Sequence, residues 1–484
     1  MRSAILIPAV LAGFGACSDA AGPTANVRIV SGDRVTDTAA TPLPNPLIVQ
    51  VVSAAGRPAA GVEVRFLVFG EITFTPAGPR FHTRVSPLAD TTDADGRASV
   101  RVWLGDYAGE DSVVVSVPTL DVETVARYTI LPGAVAGVAV LPVDTVVYVD
   151  RGFRLRGSTI DRWGNARGEP VTYTASTEMA ISGDSLTGRT IGRAKITATG
   201  GGHTGVGFVS VVPRGTVAAL RGRVGTDPAR LVVFDLDGSG LRTADLPFYA
   251  NPQPDWAPAG GTLVMQDAGP FPGDNGHLVL VDSSGTRRRL IDSTAGFVAE
   301  YYPQYSVDGS WIYFAGAFPG RRAEIWRVHP DGSGLEQVGP QADSYDGDFN
   351  PSPSPDGTRL AFTRTPNCCY DLLVRVLDVS TGAIDTLQRP NGTPIAGLRP
   401  RWSPTGDVIA YLNAGQIWLM QPDASNERTG SPPGHAYGAF DWSPDGRWLI
   451  AESDAGTLYL IEPATGLTLP LAFTQLFQQP AWRP

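Results

Sequence analysis

The stretch that decides the fold is Phe440-Asp441-Trp442-Ser443-Pro444-Asp445-Gly446-Arg447-Trp448, followed by the apolar residues 449–451. Related stretches recur through the second half of the chain. Their anchor residues are Trp256, Tyr305, Pro353, Trp402, Trp442 and Trp482, separated by 49, 48, 49, 40 and 40 residues. Six self-similar units of this length predict a β-propeller.

Within each unit, the Ser-Pro-Asp-Gly segment has the composition of a tight turn between two strands. Proline presets φ at the first turn position, aspartate accepts hydrogen bonds from the following backbone, and glycine tolerates positive φ. A second turn follows in each complete unit, for example Asp331-Gly332-Ser333-Gly334. Two hairpins give four strands, which make one propeller blade.

The order of strands also predicts how the ring closes. Strands expected at 218–247 precede the first anchor, Trp256, and lack an innermost strand, whereas the segment around Trp482 is a strand without a blade of its own. We therefore expect the last strand to complete the first blade. Six blades then form a closed ring over residues 216–484, with no open sheet edge.

These units resemble the WD-like repeats of TolB-type propellers, which read roughly Pro-x-Trp-Ser-Pro-Asp-Gly before an apolar strand. The copies depart from that pattern at a few positions, which are Pro353 for the aromatic residue, Val307 for the proline, and Ala259 and Thr405 for the aspartate. We expect these changes to weaken single turns without altering the number of units.

Composition favours an all-β protein and argues against one class of partner. The 484 residues include 56 glycines and 41 prolines, which suits many short strands joined by turns, and no long helical periodicity follows the N-terminus. The formal net charge is −10, and Lys195 is the only lysine. Because nucleic-acid binding requires clustered cations, we expect no nucleic-acid partner.

The N-terminus has the pattern of an export signal. Arg2 precedes an apolar run over residues 4–14, and Gly15-Ala16-Cys17-Ser18 follows. Such a run is too short to span a bilayer.

This pattern resembles a bacterial lipoprotein signal peptide at residues 1–17, although Phe14 replaces the usual leucine. The resemblance implies that Cys17 is lipidated and that residues 18–26 form a tether. Ser18 after the cysteine implies sorting to the outer membrane. Ordinary secretion and a retained membrane anchor are the alternatives.

Two smaller β modules are predicted between the tether and the propeller. Residues 27–133 contain strand-like runs at about ten-residue spacing, and residues 135–213 contain a second series. The first resembles bacterial Ig-like domains of the invasin and intimin type, with Gly56-Arg57-Pro58 and Gly96-Arg97-Ala98 among the matching turns. The second resembles another bacterial Ig-like type through Asp161-Arg162-Trp163-Gly164-Asn165. Neither contains a cysteine pair, so each depends on its apolar core.

No set of residues in the sequence predicts catalysis. There is no Gly-x-Ser-x-Gly motif, and the five histidines are scattered without metal-ligand spacing. Asp235 and Asp237 alternate as calcium ligands do, but the turn recurs at Asp331 without the first carboxylate, which favours a plain turn. The adjacent Cys368 and Cys369 form either a vicinal disulfide or free thiols. We expect no catalytic residue, no metal and no cofactor.

A parity argument locates a candidate binding face on the propeller. In a four-stranded meander, the chain enters the innermost strand at the end of the ring opposite to the Ser-Pro-Asp-Gly turns. We call this the tyrosine-rich end. Its residues are Tyr249, Tyr301, Tyr302, Tyr345, Asp346, Asp348, His435 and Tyr437, with the loops 267–276, 317–322 and 365–370. Tyrosine provides a large, rigid contact with a polar tip, so we predict that this end binds a partner. For any single ring, packing of a loop onto a blade is the alternative.

Together these features predict a non-catalytic lipoprotein of the bacterial cell envelope, anchored in the outer membrane and facing either the periplasm or the surface. Its Ig-like modules would act as a stalk, and its propeller would bind a protein, peptide or polysaccharide. One alternative is a surface adhesin that binds through the Ig-like modules. Another is a propeller hydrolase or lyase, for which Asp346, Asp348 and His435 are the candidate acid–base residues.

Overall fold

The computed structural model describes residues 24–70, 73–75, 78–142, 144–222, 229–248, 253–267, 276–340, 347–365, 372–471, 473 and 476–484. The predicted signal peptide with Cys17 lies outside these residues, as do the other predicted positions Tyr249, Tyr345, Asp346, Cys368 and Cys369. The described chain is all-β except for one 3₁₀ turn, Ser293–Ala295. Within these ranges, no helix has the length and apolar character needed to cross a membrane.

The chain folds into two compact units. The first contains the described residues up to Ala139 together with Gly157–Thr172 and Ala198–Gly205, and the second contains Val140–Arg156, Tyr173–Thr197 and Val206–Pro484. The division passes through the predicted second module, 135–213.

The first predicted module forms two sheets that share one core. Its strands are β1 (Asn26–Ser31), β2 (Val35–Thr38), β3 (Leu47–Val52), β4 (Glu63–Val68), β5 (Thr73–Thr75), β6 (Gly78–Arg80), β7 (Arg84–Ser86), β8 (Ala89–Thr91), β9 (Arg97–Trp103), β10 (Gly109–Val117) and β11 (Val122–Leu131). The sheet orders are β1-β3-β9-β7 and β2-β11-β10-β4-β8, with β5-β6 as a separate hairpin. Alternate residues of each strand enter the core, such as Leu47, Val49 and Val51 of β3.

The residues of the second predicted module form three small sheets. The strands are β12 (Val135–Leu141), β13 (Thr145–Tyr148), β14 (Gly152–Arg154), β15 (Arg156–Asp161), β16 (Thr172–Ala175), β17 (Met179–Ser182), β18 (Ser185–Gly188), β19 (Gly192–Gly200) and β20 (His203–Val212). Their orders are β12-β15, β13-β20-β19-β16 and β14-β18-β17.

A buried turn after β15 belongs to the first unit. The Asp161 carboxylate accepts hydrogen bonds from the backbone N–H groups of Gly133 (2.8 Å), Trp163 (2.9 Å) and Asn165 (2.9 Å). Burial opposes ionisation of this group, but these hydrogen bonds outweigh it and hold the pKa of Asp161 below its usual value. The Asn165 amide in turn donates to the Asp106 carbonyl at 2.8 Å. The predicted turn at 161–165 therefore links segments that are distant in sequence.

Most of the second unit consists of six four-stranded antiparallel sheets, which are the blades of a propeller. Blade 1 contains β21 (Thr216–Arg221), β22 (Ala229–Asp235), β23 (Arg242–Phe248) and, from the end of the chain, β44 (Phe477–Trp482). Blade 2 contains β24 (Asp255–Trp256), β25 (Thr262–Asp267), β26 (His277–Asp282) and β27 (Arg287–Arg289); blade 3 contains β28 (Ala299–Tyr305), β29 (Ile312–Ala317), β30 (Glu324–Val328) and β31 (Glu336–Gln337). Blade 4 contains β32 (Gly347–Pro353), β33 (Arg359–Thr365), β34 (Leu373–Asp378) and β35 (Ile384–Thr386); blade 5 contains β36 (Leu398–Trp402), β37 (Ile409–Asn413), β38 (Gln416–Met420) and β39 (Arg428–Thr429). Blade 6 contains β40 (Tyr437–Trp442), β41 (Leu449–Ser453), β42 (Leu458–Glu462) and β43 (Leu467–Leu471).

The ring closes as the sequence predicts. Strand β44 pairs antiparallel with β21, with Trp482 opposite Val217. The innermost strands contact one another in order from β24 to β44, and β44 also contacts β24. The first and last strands of the propeller therefore share one sheet.

The Ser-Pro-Asp-Gly turns have the predicted chemistry. In blade 6, Gly446 has φ +68° and Trp448 N donates to Ser443 Oγ at 2.8 Å. In blade 5, where Thr405 replaces the aspartate, Asp407 accepts hydrogen bonds from Thr405 and from Ser403 Oγ. A carboxylate two residues later thus takes the place of the missing one.

Residues that precede the propeller also contribute to the core of the second unit. Tyr148 and Val212 lie in one apolar cluster with Trp448 and Trp482. The Tyr148 hydroxyl donates to the Gly215 carbonyl at 3.1 Å. Blades 1 and 6 are therefore stabilised from outside the ring as well as within it.

Replacing Trp482 by alanine tests the closure. The Trp482 side chain is 6 % exposed and packs against Val217 across the β21–β44 pair. Because the substitution leaves a large cavity, we expect the free energy of unfolding to fall by about 3–5 kcal/mol, measured by chemical denaturation of the full chain. Leu476→Ala is the control, since Leu476 is 51 % exposed and its loss should cost less than about 0.5 kcal/mol. Equal stability of both variants would contradict the closure.

Candidate functional site

Six residues, one per innermost segment, surround the axis of the propeller near the tyrosine-rich end. We call them the mouth ring: Gln253, Tyr302, Asn350, Arg399, Ala439 and Gln479. Each lies three positions before its anchor residue. They line a narrow cavity of about 20 Å³ at the point where the six innermost segments meet. The mouth ring is therefore an axial site built from all six repeats.

An irregularity in the backbone directs most of these side chains to the axis. Tyr302, Asn350, Arg399 and Gln479 have φ between 52° and 55°, and the strand register shifts at each of them. A β-bulge of this kind bends the strand and re-aims a side chain. Positive φ in a non-glycine residue costs about 1–3 kcal/mol, and such strain is concentrated at functional sites.

A second ring, one step further along the axis, ties the blades together. This neck ring consists of Asp255, Gln304, Ser352, Arg401 and Asp441, each directly before an anchor residue. The backbone N–H of Tyr305 donates to Asp255 (2.7 Å), that of Trp402 to Ser352 (3.0 Å), and that of Trp482 to Asp441 (2.8 Å). In each case the acceptor lies on the preceding blade. The neck ring is thus first of all a set of bonds between blades.

The charges of the neck ring are strongly perturbed. Burial raises the pKa of Asp255 to about 7; the Arg401 guanidinium opposes this shift, and repulsion from Asp441 adds to it. Burial likewise raises the pKa of Asp441. The Nη1 atom of Arg401 lies 3.9 Å from Asp255 Oδ1. At neutral pH, this cluster therefore carries less negative charge than its two carboxyl groups suggest.

Beyond the neck ring the channel widens at the end that carries the Ser-Pro-Asp-Gly turns. The cavity there has a volume of about 220 Å³. It is lined by the anchor residues Trp256, Tyr305, Pro353, Trp402, Trp442 and Trp482 and by prolines of the turns. The two ends of the channel thus differ in size and in chemistry.

The structure brings Tyr301 and Tyr302 together at the tyrosine-rich end. Their ring centroids are 5.9 Å apart, and Phe349 lies edge-on to Tyr302 at 6.1 Å. Both pack against the apolar cluster between blades 3 and 4, and Tyr302 also belongs to the mouth ring. Both are half-buried.

The other described residues of the predicted face lie in two different environments. Asp348 is 5 % exposed and accepts two hydrogen bonds from Arg364, at 2.7 and 2.8 Å. His435 is exposed and its ring lies 4.9 Å from that of Tyr459. Tyr437 is buried beside both rings. None of these three residues lines the axial cavity.

Four polar members of the mouth ring are not among the residues predicted from the sequence: Gln253, Asn350, Arg399 and Gln479. A signal is present, because each directly precedes a proline, as Tyr302 does. A residue before proline normally adopts an extended conformation. The repeat pattern therefore does not predict the left-handed conformation that is found at Tyr302, Asn350, Arg399 and Gln479.

Comparison with other proteins places the chain in a family. Uncharacterized protein Atu1656 of Agrobacterium fabrum (strain C58 / ATCC 33970) is 30% identical over 214 residues, which cover 42% of this chain and 68% of that protein. The chain belongs to the Atu1656 family. No protein-family model matches it.

Two of the solved structures similar to this Atu1656 family member are TolB proteins. TolB from Acinetobacter baumannii is 16% identical with a TM-score of 0.45, over 74% of this chain and 90% of TolB. A putative TolB from Agrobacterium tumefaciens is 16% identical with a TM-score of 0.44, over 53% of this chain and 92% of that protein.

Protonation of Asp255 predicts a pH dependence of stability in this Atu1656 family member. Between the usual aspartate pKa of about 4 and the raised value of about 7, the folded state keeps a proton that the unfolded state has lost. Stability should therefore fall as pH rises through this window, by up to about 1.4 kcal/mol per pH unit for this group. Asp255→Asn should make the decline shallower in chemical denaturation series from pH 4 to 8.

The control for this prediction is Asp454→Asn, which removes an exposed carboxylate of blade 6. We expect it to leave the decline as in the natural protein. Glu300, whose pKa burial also raises to about 7, should contribute to the remaining slope in Asp255→Asn, together with Asp441 and Glu452, whose pKa values burial also raises. A decline equally steep in Asp255→Asn would contradict the assignment.

Proposed function

We propose that this protein is a non-catalytic lipoprotein of the bacterial cell envelope whose propeller binds a protein, peptide or polysaccharide at the tyrosine-rich end. Ig-like modules at 27–133 and 135–213 form the stalk. The lipid on Cys17 attaches the chain to the outer membrane, with the propeller facing the periplasm or the surface.

The mouth ring is the observation that carries this proposal. A ring centre that served only to fill space would be closed by apolar side chains, because buried polar groups are costly unless they are hydrogen-bonded. Here the axis instead presents a tyrosine, an arginine and amide side chains around a narrow opening. Several of them adopt a strained backbone conformation. Such a convergence of polar groups is typical of a binding site.

The neck ring supports binding rather than catalysis. A carboxyl group with a pKa near 7, such as Asp255, is suited to proton transfer, which is the observation in favour of the hydrolase or lyase alternative. However, Asp255 and Asp441 each accept a backbone N–H group from the next blade. Their burial and their raised pKa values follow from that structural role.

Exposed apolar side chains in the first module favour the adhesin alternative. Phe69 and Leu88 are 65% and 64% exposed, and Leu67 is 42% exposed. Exposed apolar side chains close together in a module often mark a contact surface. A comparison of variants at the two places therefore separates the two hypotheses.

Tyr302→Asn tests the tyrosine-rich end. Asparagine removes the ring but tolerates positive φ, so the backbone of the mouth ring should be retained. Since aromatic anchors dominate many interfaces, we expect the amount of partner captured from detergent-solubilised envelopes to fall about tenfold or more. Full-length protein is immobilised, and capture is quantified in parallel with the natural protein.

Two further variants complete this experiment. Trp311→Ala removes a half-buried aromatic residue that stacks on His329 beside the Ser-Val-Asp-Gly turn of blade 3, and it should leave capture unchanged. Phe69→Ser should also leave capture unchanged. Loss of capture in Phe69→Ser with full capture in Tyr302→Asn would favour the adhesin and contradict the proposed face.

Cys17→Ser tests the lipid anchor. Each buried CH₂ of an attached acyl chain contributes about 0.8 kcal/mol to membrane binding, so losing the acyl chains should release the protein. We expect the variant to move from the membrane fraction to the soluble fraction and to incorporate no radiolabelled palmitate. Ser18→Ala, which keeps the cysteine, should remain labelled and membrane-bound. A Cys17→Ser protein that stays in the membrane fraction would rule out this anchor.

A further inference from the structure

Arg399 is a cation at the axis that forms no ion pair with a carboxylate of the described residues. Its Nη1 donates to Gln479 Oε1 at 3.0 Å, and no carboxylate of the described chain lies within ion-pair distance. Burial lowers the pKa of Arg399, but an arginine remains charged at neutral pH. A buried positive charge without a directly paired counter-ion is unfavourable, and an anion that enters the cavity would reduce this cost.

A second group at the same cavity also lacks a partner. Gln253 is 7 % exposed, and within the described residues its amide Nε2 is buried without a hydrogen-bond acceptor. Tyr302 and Asn350 complete this side of the lining with a hydroxyl and an amide group. Arg401 also lines the cavity, although it faces Asp255, so the cavity combines two positive charges with an unused N–H donor.

The acidic residues around the axis already have donors of their own. Asp255 and Asp441 accept backbone N–H groups and face Arg401, and the Glu452 carboxylate accepts the backbone N–H of Gln479 at 2.8 Å. Asp348 is paired with Arg364, and Glu300 accepts the backbone N–H of Leu278 at 2.7 Å. The Glu452 charge acts on Arg399 from beyond ion-pair distance, so the described chain places no carboxylate in direct contact with Arg399.

We propose that the mouth-ring cavity is a carboxylate-binding subsite, which takes an aspartate or glutamate side chain of an acidic peptide segment between the Arg399 guanidinium and the Gln253 amide. This inference rests on the proposed function in one respect, since the peptide arrives at the tyrosine-rich end. The planar guanidinium matches the two oxygens of a carboxylate. The volume of about 20 Å³ is little more than one water molecule needs, so only the end of a side chain can enter and a sugar ring cannot, which favours a peptide side chain over a polysaccharide.

The subsite can be tested with a small probe. Fluorine NMR of trifluoroacetate follows weak binding through broadening of its signal, and trifluoroacetamide is the uncharged probe of the same shape. With the natural full-length protein at neutral pH and low salt, we expect broadening of the trifluoroacetate signal alone. No broadening, or equal broadening of both probes, would overturn the proposal.

Variants assign the effect to named residues. Arg399→Asn, which tolerates the local φ of +55°, should weaken trifluoroacetate binding about tenfold or more. Gln253→Leu should weaken it several-fold while leaving the charge in place, and it keeps the test decisive if Arg399→Asn does not fold. Arg428→Asn, at an exposed arginine of blade 5, is the control and should bind as the natural protein does. Unchanged binding in Arg399→Asn or in Gln253→Leu would overturn the proposal.

Competition identifies the source of the carboxylate. Displacement of trifluoroacetate by N-acetylglutamate methylamide, a model of a glutamate residue in a peptide, supports the proposal, whereas displacement by galacturonate alone overturns the peptide assignment. Partner capture gives a separate readout. If Tyr302→Asn lowers partner capture but the protein does not bind trifluoroacetate, only the carboxylate subsite is contradicted. If the protein binds trifluoroacetate but captures no partner, only the proposed function is contradicted.

Discussion

The pairing of the first and last propeller strands is the constraint on which the second unit depends. Strand β44 is the innermost strand of blade 1 and contacts both β40 and β24. Without it, blade 1 would lose its axial strand, and two neighbouring blades would each expose a sheet face. Closure of the ring therefore both buries apolar surface between the blades and provides hydrogen-bond partners for the backbone of blade 1.

Closure also determines what can happen at the axis. Six strands that converge on one line leave little room, so large apolar side chains face the gaps between blades and polar ones face the centre. The anchors Trp256 and Trp442 show the link between blades directly, because their indole N–H groups donate to the carbonyls of Ala481 (3.2 Å) and Arg401 (3.3 Å). The neck ring adds the bonds to Asp255, Ser352 and Asp441. Rigid blades can then hold the mouth ring in an unfavourable backbone conformation.

The buried charged groups of the propeller differ in the kind of partner that each one has. Asp255 and Asp441 each accept a backbone N–H group and face Arg401, and Asp348, further from the axis, is paired with Arg364. Arg399 stands apart, because its guanidinium bonds to a neutral amide of Gln479.

The sequence by itself determined the all-β class, the six repeats, the turn chemistry at Gly446 and the pairing of the terminal strand with blade 1. All of these follow from local turn preferences and from the number of repeats, both of which are visible in a single sequence. Only the tertiary structure decided which polar residues reach the axis. The bulges at Tyr302, Asn350 and Arg399 are enforced by neighbouring blades, against the usual preference of a residue before proline. The same holds for Asp348, which the sequence places at an end of the ring and the fold buries beside Arg364, because ion pairing depends on contacts between strands rather than on order along the chain.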